Sequence, residues 1–255
     1  MKSLFGFLRT RYLRRRLEQP AIVIETPVPD TRVTVAFSVH TWFEYHNRAR
    51  DSFVGEPDMV NWLKDSLRPG DVLWDVGANV GAFSILAAKL CPECRVYAFE
   101  PFIPTFAHLW ENVLLNQVTA QVVPLCVGLI SRTGMDWLAV SDPRAGSSQH
   151  QVGQGGGALR QGVIAARGAD LESLAGIPAP TLLKVDIDGL EVAALEGLKG
   201  LLGRPGLRSA IIEVEAGRSE GAAVQLLAAS GLQRVSNPLA RPTGGSLNAL
   251  FVRPE

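Results

Sequence analysis

The sequence has 255 residues, of which 25 are basic and 25 are acidic, so that the side-chain charges cancel at neutral pH. A balanced charge provides no broad attraction to a polyanion, and we therefore expect no nucleic-acid partner. Hydrophobic residues make up 47% of the chain, enough for a sizeable core, but no apolar run is long enough to span a bilayer.

Residues 1–55 are predicted to form an N-terminal helix followed by an irregular cap. The first 16 residues, MKSLFGFLRTRYLRRR, are basic and amphipathic, and their apolar part is too short for a secretory signal. Two interpretations stay open: a helix packed on the domain or a loose terminus, and a helix that makes weak contact with a membrane surface or a partner. Short β-prone stretches at 21–25 and 32–38 follow, separated by prolines.

From residue 56 onward the chain alternates between helical and strand patterns, and we predict one α/β domain over residues 56–255. A helix is expected at 57–67, before Pro69-Gly70. Further helices are predicted at 80–90, 104–116, 191–202 and 220–230, and strands at 71–76, 95–99, 121–127, 181–187, 209–214 and 247–252. Short apolar strands that alternate with helices predict a doubly wound, mostly parallel sheet with helices on both faces.

Residues 141–162 do not follow this rhythm. They contain six glycines, two adjacent serines and four glutamines, and the stretch is long for a connection within one domain. Such segments are either functional lids or disordered insertions. We predict a mobile lid or rim over an acceptor pocket, because the stretch lies between the third and fourth predicted strands of the domain.

The first predicted strand ends in a turn that contains Asp75, Gly77, Asn79 and Gly81. Its glycines allow a ligand to approach the backbone, and the following helix N-terminus offers free N–H groups. A pyrophosphate-binding turn needs glycine where Asn79 stands, so a cofactor with an amino-acid end and a nucleoside end fits better than a dinucleotide. A turn that serves only strand–helix packing is the alternative.

Glu100 ends the second predicted strand and is followed by Pro101; we place both in the predicted cofactor site. An acid at this position can accept hydrogen bonds from both hydroxyls of a ribose. As an alternative, Glu100 would only interact with the dipole of the next helix.

The fourth long strand carries two charged residues, Lys184 and Asp186, which strand alternation places on one face. Charges inside a central strand are costly unless they are paired or functional. Asp186 falls at the carboxyl end of the strand, where ligands of open parallel sheets bind. Two interpretations follow: a reaction site, or an ion pair that only fixes packing. Asp188 and Glu191 fit either catalysis or a capping box with Asp188 as N-cap and Glu191 three residues into the helix.

Glu213 and Glu215 share one face of the fifth strand, where they either border the pocket or form a salt-bridged strand end. The four histidines do not cluster in sequence. His150 lies in the glycine-rich stretch, where it either reaches a substrate or, as is more common, is a solvated loop histidine. Cys91 and Cys94 lack the further ligands of a zinc site, and we expect neither a metal nor a redox role. Three scattered cysteines favour a reducing compartment over a disulfide framework, which predicts a cytoplasmic protein.

The runs DVGANVGAFS, VYAFEP, LWENVLLN, LLKVDIDGLEVAALEGL and AIIEVE, in this order, resemble the FkbM family of S-adenosylmethionine-dependent methyltransferases. The resemblance covers roughly residues 56 to 252. It implies a Rossmann-like class I fold, with a seven-stranded sheet whose last strand is antiparallel. It also implies that S-adenosyl-L-methionine is the cofactor and that a hydroxyl of a sugar, polyketide or similar small metabolite is methylated. By this match Asp75, Gly77, Asn79 and Gly81 line the cofactor and Glu100 holds its ribose. Asp188 departs from the family, which often has glutamate there.

We therefore predict an O-methyltransferase in which Asp186 is the general base and Lys184 and Glu213 complete the catalytic site, with no metal required. Positioning of donor and acceptor would supply most of the catalysis. Two alternatives remain. An NAD-dependent oxidoreductase is disfavoured by Asn79, and a methyltransferase-like binding module is disfavoured by the presence of Asp75, Glu100 and Asp186.

Overall fold

The structure is a computed structural model that describes residues 21–148, 150–152, 159–187, 189–215, 217, 219–240 and 246–254. The basic helix predicted at the N-terminus, Asp188 and the middle of the glycine-rich stretch lie outside these residues. Within the described ranges, none of the helices combines the length and the apolar character that a membrane crossing requires.

The cap begins with a regular β-hairpin, so the prediction of an irregular cap is wrong for this part. Strands β1 (Ile22–Pro27) and β2 (Thr34–Val39) are antiparallel, and alternate residues of β2 are buried. Three short helical segments follow: α1 (Trp42–Glu44), a π-helical turn (Tyr45–Ala49) and α2 (Ser52–Gly55). The alternation of apolar and polar residues in β2 explains why it forms a strand with one face against the domain.

The remaining strands, in chain order, are β3 (Val72–Val76), β4 (Arg95–Phe99), β5 (Val122–Leu125), β6 (Gly128–Leu129), β7 (Gly134–Ala139), β8 (Gln151–Val152), β9 (Arg160–Ala166), β10 (Leu182–Val185), β11 (Ser209–Glu215), β12 (Gln233–Val235) and β13 (Ser246–Val252). Seven of them form the main sheet in the spatial order β12-β13-β11-β10-β3-β4-β5. The last strand, β13, is antiparallel to both of its neighbours, and β11, β10, β3, β4 and β5 are parallel. The predicted fold is therefore confirmed.

Helices cover both faces of this sheet. They are α3 (Pro57–Ser66), α4 (Ala82–Leu90), α5 (Ile103–Leu115), α6 (Gly168–Ala175), α7 (Glu191–Leu202) and α8 (Glu220–Ala229). Alternate residues of β3 enter opposite cores: Leu73 packs with α3, α4, α5 and the cap, whereas Trp74 packs with α7 and α8. Both faces of a central strand are thus buried, which is why these strands read as continuous apolar runs.

A second sheet, in the order β6-β9-β7-β8, occupies a part of the chain where the sequence predicted no strands. Both β8 and the start of β9 lie inside the stretch that was expected to be a long loop, so that prediction is wrong for residues 151–152 and 160–162. A small core of its own, which includes Phe102, Leu138, Val152 and Val163, holds this sheet beside the carboxyl ends of the main strands.

The cysteine pair after α4 also differs from expectation. Cys91 and Cys94 form a disulfide with a Cα–Cα distance of 5.5 Å, whereas the sequence predicted free thiols. The backbone N–H of Cys94 donates to the carbonyl oxygen of Cys91 (3.0 Å), and this tight turn brings the two side chains together.

Candidate functional site

A cavity of about 680 Å³ opens at the carboxyl ends of β3, β4, β10 and β11. Its volume is typical of sites for small ligands. Three parts of the chain supply the polar lining of the cavity and the residues beside it. The cap supplies Arg48 and Glu56, and the second sheet with its loops supplies Ser141, Ser147 and His150. The strand ends supply Gly77, Asn79, Glu100, Pro101, Asp186, Glu213 and Glu215. The cavity therefore lies where open α/β sheets bind ligands.

Gly77 begins the turn after β3 with φ +80°, in the left-handed region that favours glycine. A β-carbon on Gly77 would lie 1.8 Å from the carbonyl oxygen of Asp186. The N–H groups of Gly77 and Ala78 both donate to the carbonyl oxygen of Phe99 (3.0 Å each). The turn thus lies in contact with the ends of β4 and β10. Position 77 requires glycine because its φ is positive and because the carbonyl of Asp186 leaves no space for a β-carbon.

Asn79 connects this turn to two other walls of the cavity. Its backbone N–H donates to Oε2 of Glu100 (3.0 Å), and its side-chain Nδ2 donates to the carbonyl oxygen of Ser147 (3.1 Å). Gly81, by contrast, does not line the cavity: it precedes α4, and a β-carbon there would lie 2.5 Å from Leu109. Asn79 therefore sets the shape of the turn, while Gly81 serves packing.

Glu100 lies at the end of β4 with its carboxylate buried in the cavity wall. Its Oε2 accepts from the N–H of Asn79, and its Oε1 accepts from the N–H of Phe102 (2.8 Å). Burial raises the pKa of Glu100 to about 7, and the two backbone hydrogen bonds offset only part of that effect. Glu100 therefore changes its charge in the neutral pH range.

Lys184 is buried beneath the cavity between two carboxylates. Its Nζ lies 3.0 Å from Oδ1 of Asp75 and 3.5 Å from Oδ2 of Asp186, and it donates to the carbonyl oxygen of Gly77 (3.2 Å). Burial alone would lower the pKa of Lys184, but the charges of Asp75 and Asp186 outweigh it and raise the pKa above its usual value. Lys184 is therefore a permanent cation that joins β3 to the end of β10.

Asp75 does not line the cavity. It is fully buried, and besides Lys184 it accepts a hydrogen bond from the hydroxyl of Ser84 (2.5 Å). The structure thus separates the three charges: Asp75 and Lys184 support the site from below, and Asp186 faces the cavity with a side chain that is 32% exposed. Strand alternation predicted the Lys184–Asp186 contact, but the partner Asp75 comes from the neighbouring strand.

Two residues of the cap, Arg48 and Glu56, line the cavity and were missed by the sequence analysis. Arg48 Nε donates to the carbonyl oxygen of Gly146 (2.6 Å). Burial, followed by the charge of Asp186, raises the pKa of Glu56 to about 7, and Lys184 and Arg48 act in the opposite direction. Neither residue belongs to a sequence motif, and only the folding of the cap against the sheet brings them to the cavity.

The glycine-rich stretch contributes to the cavity rim through its described residues. The ring of His150 packs against Phe102 at 4.2 Å between centroids, and its two nitrogens lie 2.9 Å from the hydroxyl of Ser147 and 3.3 Å from that of Ser141. Burial lowers the pKa of His150, with Asp142 opposing. The uncharged imidazole is therefore a hydrogen-bonding wall of the site.

The remaining predicted residues lie at the end of β11 and the start of α7. Glu213 and Glu215 both line the cavity. Helix α7 begins at Glu191 with Leu190 as its N-cap, so the capping-box alternative, with Glu191 three residues into the helix, is wrong. Glu191 instead accepts the N–H of Gly189 (2.6 Å), and its partner in the prediction, Asp188, lies outside the described residues.

The fold is shared with a known methyltransferase. The crystal structure of magnesium protoporphyrin IX methyltransferase (ChlM) from Synechocystis PCC 6803 with bound SAM superposes with a TM-score of 0.50 at 15% identity. The superposition covers 84% of this chain and 86% of that one. At this identity the likeness shows the class I methyltransferase fold alone.

Sequence comparison identifies the family. Hexuronic acid methyltransferase AglP from Haloferax volcanii is 32% identical over 163 residues, which cover 64% of each chain. The 31-O-demethyl-FK506 methyltransferase FkbM from Streptomyces tacrolimicus is 46% identical over 56 residues, 22% of each chain. The matches thus span less than two thirds of the length of these curated relatives. The family profile described as "Methyltransferase FkbM domain" matches residues 75–233, from Asp75 in β3 to the start of β12. This chain belongs to the FkbM methyltransferase family.

Proposed function

We propose that the chain binds S-adenosyl-L-methionine in this cavity and transfers its methyl group to a hydroxyl oxygen of a small metabolite. The observation that carries the proposal is the set of carboxyl groups at the strand ends, which surrounds a glycine turn. These carboxyl groups belong to Glu100, Asp186, Glu213 and Glu215, and Glu56 of the cap adds another. Arg48 is the cationic side chain among the described lining residues.

This charge distribution supports S-adenosylmethionine over a dinucleotide. The cofactor carries a positive sulfonium and a positive ammonium group, and the side chains of Asp186 and Glu100 offer carboxyl groups that attract positive charge. NAD carries a pyrophosphate with two negative charges, which the same groups would repel. The turn itself adds to the argument, because Asn79 stands where a pyrophosphate-binding turn needs glycine.

The residues present fit the cofactor. Gly77 lines the cavity, and the absence of a side chain there lets the carbonyl oxygen of Asp186 pack directly against the turn. Each oxygen of Glu100 accepts one backbone N–H, and a carboxylate has lone pairs for two further donors. We infer that Glu100 accepts the ribose hydroxyls there. Asp75 is not exposed to the cavity, and we assign it to the support of Lys184 instead of to cofactor contact.

When bound, the cofactor would supply a methyl group on a positively charged sulfur. This chain's residues would hold the acceptor hydroxyl in line and take its proton. Asp186 is the proposed proton acceptor, because its carboxylate faces the cavity while Lys184 fixes its position from below. Glu56 is a second proton acceptor beside it, and a pKa of about 7 suits that task at neutral pH.

The proposed acceptor is a hydroxyl of a sugar, polyketide or similar metabolite. The names of the two relatives, a hexuronic acid methyltransferase and a 31-O-demethyl-FK506 methyltransferase, support this class. Arg48 would provide a cation for an acid group of the acceptor, since its side chain reaches the cavity from the cap.

Two measurements test the proposal. Calorimetry should detect S-adenosylmethionine and its demethylated product at micromolar-scale affinity, on the order of −8 kcal/mol, and no NAD binding. Incubation with methyl-labelled cofactor and a panel of hexuronic acids, neutral sugars and polyketides should label at least one acceptor on oxygen. Tight NAD binding without S-adenosylmethionine binding would contradict the cofactor assignment. Cofactor binding with label on nitrogen alone would contradict O-methylation.

A further inference from the structure

A cluster of His40, His108 and Glu111 lies between the cap and α5, outside the lining of the cavity described above. His40 follows β2, and His108 and Glu111 lie three residues apart on α5, so that they share a helix face. One ligand atom from each of the three residues lies within 4.8 Å of the other two. We propose that this cluster binds a divalent transition-metal ion of the Zn²⁺ type.

The donor set has the right chemistry for such an ion. Two imidazoles and one carboxylate are ligands that Zn²⁺, Co²⁺ and Ni²⁺ accept, with one position left for water. Nε2 of His40 lies 2.9 Å from Oε2 of Glu111, and the two imidazole rings are 4.5 Å apart at their centroids. Ligand atoms around a tetrahedral ion with bonds of about 2.0–2.1 Å are roughly 3.4 Å apart. Small side-chain adjustments therefore suffice to close the site.

A second observation, independent of the spacing, points to a metal ligand. Nδ1 of His108 contacts the buried carboxylate of Glu44, which is itself fixed by the N–H groups of His40 (2.9 Å) and Thr41 (2.8 Å). A histidine that binds a metal through one ring nitrogen typically donates the other N–H to such a carboxylate. Glu44 thus orients His108 and leaves its Nε2 as the nitrogen for the ion.

The position of the cluster gives the ion a structural role. It would link the cap to α5, and the cap carries Arg48 and Glu56, both of which line the cavity. A metal that binds only the folded protein stabilises it by mass action. Zn²⁺ should therefore raise the melting temperature of the full chain.

The test is a calorimetric titration of the EDTA-treated full chain with ZnCl₂, in parallel with thermal melting. We expect one site of micromolar affinity in the wild type. The affinity should be at least about tenfold weaker in His40→Ala and in Glu111→Gln, since even an outer partner of a ligand contributes roughly 10–100-fold. Both side chains are well exposed, at 39% and 45%, so these substitutions should spare the fold. His46→Ala, a cap histidine outside the cluster, is the matched control and should bind like the wild type.

The thiol of Cys126 is a competing ligand, since Cys91 and Cys94 are joined in a disulfide, and Co²⁺ separates the two possibilities. Cobalt in the proposed site should give the visible d–d bands of tetrahedral coordination without the near-ultraviolet band of a thiolate ligand. A thiolate band, an unchanged Zn²⁺ affinity in both variants, or the absence of Zn²⁺ binding by the wild type would each overturn the proposal. Ion pairs between the histidines and glutamates would then account for the cluster.

Discussion

Nζ of Lys184 lies 3.0 Å from Oδ1 of Asp75, and the two residues are direct partners in the parallel register of β10 and β3. Both side chains are almost completely buried, with 3% and 1% exposed. A charge at this depth is strongly destabilising without its partner, because no water replaces the lost interaction. The floor of the site is therefore stable only when both members of the ion pair are present.

Replacement of Lys184 tests this dependence. Lys184→Met would leave the carboxylate of Asp75 with the hydroxyl of Ser84 as its hydrogen-bond donor, and the free energy of unfolding should fall by about 3–5 kcal/mol. Lys199→Met is the control, since Lys199 pairs with Glu196 on the surface, and its effect should stay below about 0.5 kcal/mol. Urea unfolding measures both. Equal effects would show that burial does not set the strength of the Lys184 pair.

Asp186→Asn should separate catalysis from stability. Lys184 keeps Asp75 as a partner in this variant, so the free energy of unfolding should change by less than about 1 kcal/mol. Cofactor binding should persist, and methyl transfer should fall ~100-fold, as expected for the loss of a general base. Asp75→Asn is the contrasting variant. It removes the buried partner of Lys184, so its main effect should be a fall in the free energy of unfolding. A fully active Asp186→Asn enzyme would remove Asp186 from the mechanism, and Glu213 would be changed next.

A comparison of Gly77 and Gly70 separates the effect of a steric contact from the effect of the left-handed backbone conformation. Both have positive φ, at +80° and +83°, but a β-carbon meets the backbone of Asp186 only at Gly77 and meets nothing within 4 Å at Gly70. Gly70→Ala should therefore cost roughly 1–2 kcal/mol of unfolding free energy, from the left-handed conformation alone. Gly77→Ala should cost more and also abolish S-adenosylmethionine binding. Similar stability and intact binding in the two variants would contradict the close approach.

Cofactor affinity should depend on pH through Glu100. Its pKa of about 7 means that the carboxylate is ionised at pH 8 and mostly protonated at pH 6. Because the ionised form is the acceptor for the ribose hydroxyls, affinity should fall about tenfold from pH 8 to pH 6. Glu100→Gln should bind more weakly at pH 8 and show little change over this range. If Glu56→Gln, and not Glu100→Gln, abolishes the pH dependence, the assignment to Glu100 is wrong.

The rate of methyl transfer should depend on pH through Glu56. Its pKa is raised to about 7, so the proton-accepting form disappears as the pH falls below 7. At saturating cofactor the wild-type kcat should rise between pH 6 and pH 8, and Glu56→Gln should have a lower kcat and lack this rise. Glu93→Gln, on the exposed turn between Cys91 and Cys94, should keep the wild-type profile. An unchanged rise in Glu56→Gln would assign the titration to another group.

The sequence by itself determined six of the seven strands of the main sheet, all but β12, and the part of the site that follows the strand ends. The bounds of β4 and α7 agree with prediction, because an uninterrupted apolar run or a helical stripe specifies an element locally. Gly77, Asn79, Glu100 and Asp186 all line the cavity, since residues just after parallel strands meet at one edge of the sheet. Local pattern and the rule for strand ends were sufficient for these positions.

The tertiary structure decided what depends on contacts distant in sequence. Pairing across neighbouring strands placed Asp75 under Lys184 and took it out of the cavity. Packing of the cap on the sheet brought Glu56 to the cavity and His40 to His108, although the two histidines are 68 positions apart in the sequence. Such contacts arise when apolar faces find each other during folding, and the groups that then become neighbours leave no local period in the sequence. The electrostatics of the site, which follow from burial and neighbouring charges, were for this reason accessible only in the folded chain.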